Sequence, residues 1–199
     1  MRRAGVFLFG LAVFIACGGS DITGPADFDF AFSDPAGDTA SVPTASGAVD
    51  LVGLSGTLGS NMLVVRLKFT TQVTPWSEHK VNALDGFLDL DLDRDPTTPG
   101  GLTLLGGGPD SLDLGPDVYL DLRDNGGGKV ALLQPGSGRQ RLTLVTAHFT
   151  GDQVSFDIPR TALAGFTGDS LWAGVVVGNR DRTITDLAPN QGHFVIGRP

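Results

Sequence analysis

The chain is short of several things that stabilise or equip other proteins. It has one cysteine, so no disulfide can form within it. Glu, Lys, Gln and Met, which favour helices, are scarce, while Val, Leu, Thr and Phe are common. With 29 Gly and 12 Pro in 199 residues, this mix predicts short strands joined by tight turns. Basic residues are few: 14 Lys and Arg stand against 22 Asp and Glu, a formal charge of −8. A nucleic-acid binder needs a basic face to neutralise phosphates, so that class is disfavoured, whereas cationic partners, metal ions and neutral ligands stay open. The signatures of catalysis are missing as well. No GxSxG nucleophile elbow is present, and Gly53-Leu54-Ser55-Gly56 has the wrong spacing for one. His79, His148 and His193 are far apart, with no metal-ligand spacing. The glycine runs 106–108 and 126–128 lack phosphate-loop spacing and open no helix. The expectation is a protein that is not an enzyme.

What is present begins at the N-terminus. Met1-Arg2-Arg3 is positive, and the thirteen residues Ala4–Ala16 are mostly apolar and carry no charge. A bilayer-spanning helix needs roughly 20 residues. Thirteen fit the apolar region of a signal peptide, here residues 1–16. Phe14-Ile15-Ala16-Cys17 then resembles the lipobox of bacterial lipoproteins, with Phe14 where the pattern prefers Leu. The resemblance implies cleavage before Cys17 and acylation of that cysteine, and with it attachment to a membrane. Gly18, rather than Asp, follows the cysteine; in lipoproteins of two-membrane bacteria this implies sorting to the outer membrane. Residues 17–27 read as the lipidated cysteine and a polar, Gly- and Pro-containing tether that reaches on the order of 30 Å. The folded domain, residues 28–199, then faces the periplasm or the cell surface.

Within that domain the hydrophobic period is mostly two. Leu63, Val65, Leu67 and Phe69 alternate with Val64, Arg66 and Lys68; Val154, Phe156 and Ile158 alternate with Ser155 and Asp157. Phe28, Phe30 and Phe32, then Leu88, Leu90 and Leu92, then Val118, Leu120 and Leu122 repeat the pattern. Such runs bury one face and leave the other polar, as antiparallel strands do. Turn residues separate them at Leu58-Gly59-Ser60-Asn61, Asn125-Gly126 and Thr150-Gly151-Asp152. Leu171–Val177 reads as a central strand, and 159–164 as a single helical turn with Pro159 at its start. The expected fold is all-β: an antiparallel two-sheet β-sandwich of jelly-roll type.

Several segments, taken in order, are similar to the DOMON-like sandwich domains of secreted bacterial proteins, themselves related in shape to family 9 carbohydrate-binding modules. They are Ser33-Asp34-Pro35-Ala36-Gly37-Asp38, Asp50–Leu54, Phe87–Gly100, Gly115-Pro116-Asp117-Val118-Tyr119, Ile158-Pro159-Arg160 and Asp186-Leu187-Ala188-Pro189-Asn190. The resemblance covers most of residues 28–199 and implies a β-sandwich with a non-catalytic binding role. It does not choose the ligand, because members bind sugars or haem or have no known ligand. Met62, the only methionine beyond Met1, reads as a packing residue at a strand start rather than a haem ligand.

The most distinctive stretch is Asp89-Leu90-Asp91-Leu92-Asp93-Arg94-Asp95. On a strand, Asp89, Asp91 and Asp93 share one face at about 6.8 Å spacing. Two readings stand. One is a solvated acidic face that keeps the strand from pairing with other chains. The other is a calcium site formed by Asp89, Asp91, Asp93 and Asp95, with Asp113, Asp117 or Asp121 joining from a neighbouring strand, since calcium takes six to eight hard oxygens. It is not an EF-hand, lacking the turn Gly and the closing Glu. Asp34, Asp38 and Asp50 form a second acidic group, read first as turn formers and second as metal ligands. A sugar ligand would need exposed rings, for which Trp76, Trp172 and Tyr119 are the candidates, Trp76 and Tyr119 first; Trp172 alternates out of phase with Leu171 and Ala173, and core packing is the common fate of a strand Trp. The functional expectation is a membrane-anchored, extracytoplasmic, non-catalytic binding module, for carbohydrate and with calcium as its stabilising ion. The alternative is a purely structural envelope lipoprotein without a small-molecule ligand.

Overall fold

A computed structural model describes residues 27–39, 48–97, 113–136, 139–163 and 165–198. The signal segment, Cys17 and the tether as far as residue 26 lie outside these residues. Among the described residues eleven strands follow one another: β1 (Phe28–Ser33), β2 (Leu51–Leu58), β3 (Met62–Phe69), β4 (Asp85–Asp91), β5 (Val118–Asp121), β6 (Lys129–Gln134), β7 (Gln140–Thr150), β8 (Gln153–Pro159), β9 (Ser170–Gly178), β10 (Ile184–Ala188) and β11 (Phe194–Gly197). Two short 3-10 turns, Trp76–Glu78 and Arg160–Ala162, are the only helical pieces among the described residues. The second of these is the single turn expected after Pro159.

The strands form one curled antiparallel sheet in the order β1-β2-β3-β8-β7-β6-β5-β4-β9-β10, with β11 pairing β9 beside β10. β7 is the corner of the sheet. Residues 140–146 pair with β6, whereas Ala147–Thr150 pair with β8. The β7–β8 hairpin turns at Gly151, whose φ of 63° suits a residue without a Cβ.

The alternation of β3 and β8 explains how the sheet finds its core. Leu63, Val65, Leu67 and Phe69 are buried along β3, and Val154, Phe156 and Ile158 along β8; Arg66 and Asp157 point out. Leu88, Leu90, Leu120, Leu132, Leu171, Val175 and Val177 from the other half of the sheet enter the same apolar cluster. Each such side chain, once buried, contributes roughly 1.5–3 kcal/mol.

The curl is tight enough for the ends of the sheet to meet. The Phe32 ring of β1 stacks on Phe194 of β11 at 4.8 Å. The Leu51 N–H donates to the Asp186 carboxylate at 2.7 Å, and the Thr185 hydroxyl donates to the Val49 carbonyl at 2.6 Å. This seam sets residues near the start of the domain against residues near its end.

One expectation is overturned at β4. One of the two readings of the aspartates there was a solvated face, yet all seven residues of Asp85–Asp91 are buried. β4 lies in the interior of the sheet between β5 and β9, and its off-core face carries Phe87, packed edge-on to the Tyr119 ring at 5.7 Å. An aspartate in that row shares an apolar surface and is not in contact with bulk water.

Candidate functional site

The acidic stretch divides at the end of β4. Asp89 faces Tyr119 across β5 and Gly174 across β9, is 6% exposed, and its Oδ1 has no hydrogen-bond partner. Burial alone pushes its carboxyl up to about 7. Asp91, two residues on along the same face, has partners. Its oxygens accept the N–H of Arg94 at 2.6 Å and of Gly115 at 3.2 Å. Burial raises its carboxyl to about 6; those two N–H donors oppose the shift and the neighbouring Asp93 carboxyl adds to it.

Asp91, Asp93 and Asp117 each bring a carboxylate oxygen into a group no wider than 4.8 Å. Asp117 is held there by the N–H groups of Leu92 at 2.8 Å and Asp93 at 3.2 Å, both donating to one of its oxygens. Arg94 takes φ 59° to make the bend and places its guanidinium on the Ser170 hydroxyl at 3.1 Å. Asp95 stands outside the group. It closes a local turn by accepting from the Thr97 N–H and hydroxyl, which hold its carboxyl below the usual carboxylate range. Of the four aspartates assigned to a calcium site, then, Asp91 and Asp93 converge, with Asp117 joining from the start of β5. Asp89 and Asp95 do not.

The rings distribute differently from expectation. Trp76 lies half-buried in the first 3-10 turn, edge-on to His79 at 6.4 Å. Tyr119 is fully buried, and its hydroxyl has no partner. Tyr119 therefore presents no face to a ligand, whereas Trp76 keeps partial exposure. Trp172, on the off-core face of β9 as its alternation predicted, is half-buried and stacks on His193 at 3.8 Å. It lies directly opposite Asp91 on β4 and Val195 on β11, and Val195 is 40% exposed. The Trp172–His193 pair was not anticipated, because the partners lie on different segments and neither position is unusual alone. His148 makes only a long contact of 3.8 Å with Asp157.

At the seam a second acidic group assembles. Asp34, Asp38 and Asp186 bring carboxylate oxygens within 4.8 Å of one another. Asp34 and Asp50 are 8% and 7% exposed, and Asp34 Oδ2 and Asp50 Oδ1 have no partner. The Gly37 N–H donates to the other Asp50 oxygen at 3.1 Å, and the Asn190 amide donates to Asp38. Asp186 accepts from the Leu51 and Leu187 N–H groups, each at 2.7 Å. Burial first, then repulsion from Asp186, Asp38 and Asp50, pushes Asp34 to about 7; burial, opposed by its two N–H donors and reinforced by Asp38 and Asp50, pushes Asp186 to about 6. Asp34, Asp38 and Asp50 are therefore more than turn formers. The missing member was Asp186, 152 residues beyond Asp34 and carrying no local signal.

No known protein family and no curated protein matches the chain.

Proposed function

We propose that the protein is a lipid-anchored, extracytoplasmic and non-catalytic binding module, whose curled sheet is a sandwich of two halves hinged on β7 and related in shape to DOMON-like domains. The anchored reading is supported by Arg2, Arg3, the apolar run Ala4–Ala16 and Cys17. The binding reading is carried by one juxtaposition. Asp91, a member of the three-carboxylate group, sits directly across from Trp172, whose ring is half-buried on the off-core face. A flat ring beside a bound calcium is an arrangement that suits a sugar: the ring packs against the pyranose C–H face, and the cation takes its hydroxyls. Trp172 thus joins Trp76 as a ring that would meet ligand, in place of the buried Tyr119.

A structural role has its own support. Asp91, Asp95 and Asp117 already accept backbone N–H groups, as loop-closing aspartates do without an ion. Tryptophan fluorescence of the full chain, titrated with a panel of neutral and acidic glycans in calcium and in EGTA, separates the two. Quenching that needs calcium and is lost in Trp172→Ala and Asp117→Asn supports the binding module. Silence across the panel leaves the structural reading.

A further inference from the structure

We propose that the seam formed by Asp34, Asp38, Asp50 and Asp186 is a calcium site that clasps the two ends of the curled sheet. It is separate from the Asp91–Asp93–Asp117 group and does not rest on the sugar-binding reading.

Three carboxyl groups converge here, Asp34 and Asp38 from the turn after β1 and Asp186 from β10, and Asp50, the residue before β2, lies close enough to repel Asp34 and Asp186. No Lys or Arg is among their hydrogen-bond or ion-pair partners in the described residues. Acidity alone would not make a site. The independent observation is that Asp34, a member of the group and over nine-tenths buried, has an oxygen with no donor to receive it, and neighbouring Asp50 also leaves a buried oxygen without one. A buried carboxylate oxygen without a donor is costly, so native structures seldom keep one unless something else meets it.

The all-oxygen, anionic donor set selects a hard cation such as calcium as that partner. Oxygens bound to one calcium at about 2.4 Å are at most about 4.8 Å apart. The oxygens of Asp34, Asp38 and Asp186 satisfy that limit. The surrounding bonds also fit a preorganised cage. Backbone N–H groups hold Asp186 and one oxygen of Asp50, and the Asn190 amide holds Asp38. The turn at Ala36–Gly37, with Gly37 at φ 84°, folds Asp38 back toward Asp34. Asp38 is the exposed member and marks the side from which the ion enters.

Such an ion would join β1 and β2 to β10 across a separation of 135 residues, the span of the Leu51–Asp186 bond. It would act where the Phe32–Phe194 stack and the Thr185–Val49 bond already bring the sheet ends together. Calcium would therefore complete the curl.

The test uses the full chain in detergent, stripped with EGTA and titrated with calcium chloride while its melting is followed. An Asp117→Asn background disables the strand-end group, so that only the seam responds. The expected result is a calcium-dependent rise in Tm in Asp117→Asn that disappears in Asp34→Asn/Asp117→Asn. In EGTA the added Asp34→Asn change should raise Tm, because it removes a buried charge that has no partner. Exposed Asp38→Ala, which folding tolerates, should weaken the calcium response at least tenfold in midpoint concentration. A flat calcium titration of Asp117→Asn, or a response that survives Asp34→Asn, overturns the clasp and leaves carboxyls that keep their protons. Silence of the wild-type protein across the glycan panel, with the seam response intact, would instead count against the sugar-binding reading alone.

Discussion

Asp89 holds its carboxyl between the Tyr119 ring and Gly174, on the side of β4 away from the main core. The folded state favours its protonated form, raising it to about 7, so ionisation favours unfolding. The resulting contribution to stability is fully present at pH values below the ordinary carboxylate range of about 4. It is lost as pH climbs through about 7, and it is flat above that. Asp34, Asp91 and Asp186, also raised, slope the same way, so the difference between proteins isolates Asp89. Asp89→Asn should match the wild type at pH 4 and exceed it at pH 8 by on the order of 2 kcal/mol in urea unfolding. Parallel pH profiles for the two proteins would show that Asp89 finds a donor in solution. Arg123 illustrates the opposite arrangement. It grips Asp121 through two bonds, at 3.0 and 2.8 Å, and reaches buried Asp85 at 3.4 Å, drawing that carboxyl back down against the larger effect of burial.

Strands β3 and β8 follow directly from their alternation, because one of their faces meets the core and the other meets water. β4 obeys the same period and buries both faces. Its sequence says which residues are alternate but not what lies over the far side, and there the neighbours are Phe87, Tyr119 and Trp172 rather than solvent. The convergence of Asp91 and Asp93 was legible because they are close in sequence at a strand end. Asp117 was legible only as one of three possible partners. Gly86 in β4 is the sharpest constraint on any single strand. Its φ is 128°, and a Cβ there would lie 2.0 Å from the Val176 carbonyl oxygen of β9. Gly86→Ala should therefore separate β4 from β9 and cost about 3 kcal/mol or more, seen as a lower urea midpoint and loss of amide-exchange protection in both strands. A change within about 0.5 kcal/mol would mean that the pairing tolerates a shift the structure does not show.

At the scale of the molecule, what escaped the sequence was closure. Turns and periods are local, whereas the seam depends on Asp34, Asp50 and Asp186 arriving together from distant positions after the sheet has curled. Attachment is the reverse case: it rests on a local motif that lies outside the described residues. Cys17→Ser should move the protein from the membrane pellet to the soluble fraction, and a mutant that still partitions with detergent would defeat the anchor. If the anchor holds, the direction of load on the domain follows from β1. The chain enters that strand at Phe28, while the acidic seam secures its other end just past Ser33, roughly 17 Å along a six-residue strand. A pull on residues before Asp27 along the strand would slide β1 against β2 in shear, so the pairs from Phe28–Leu58 to Ser33–Gly53 would bear it together instead of opening singly in succession. Anchored in that way, the sheet would take load in its mechanically stiff direction, and an ion at the seam would set the force at which it gives way.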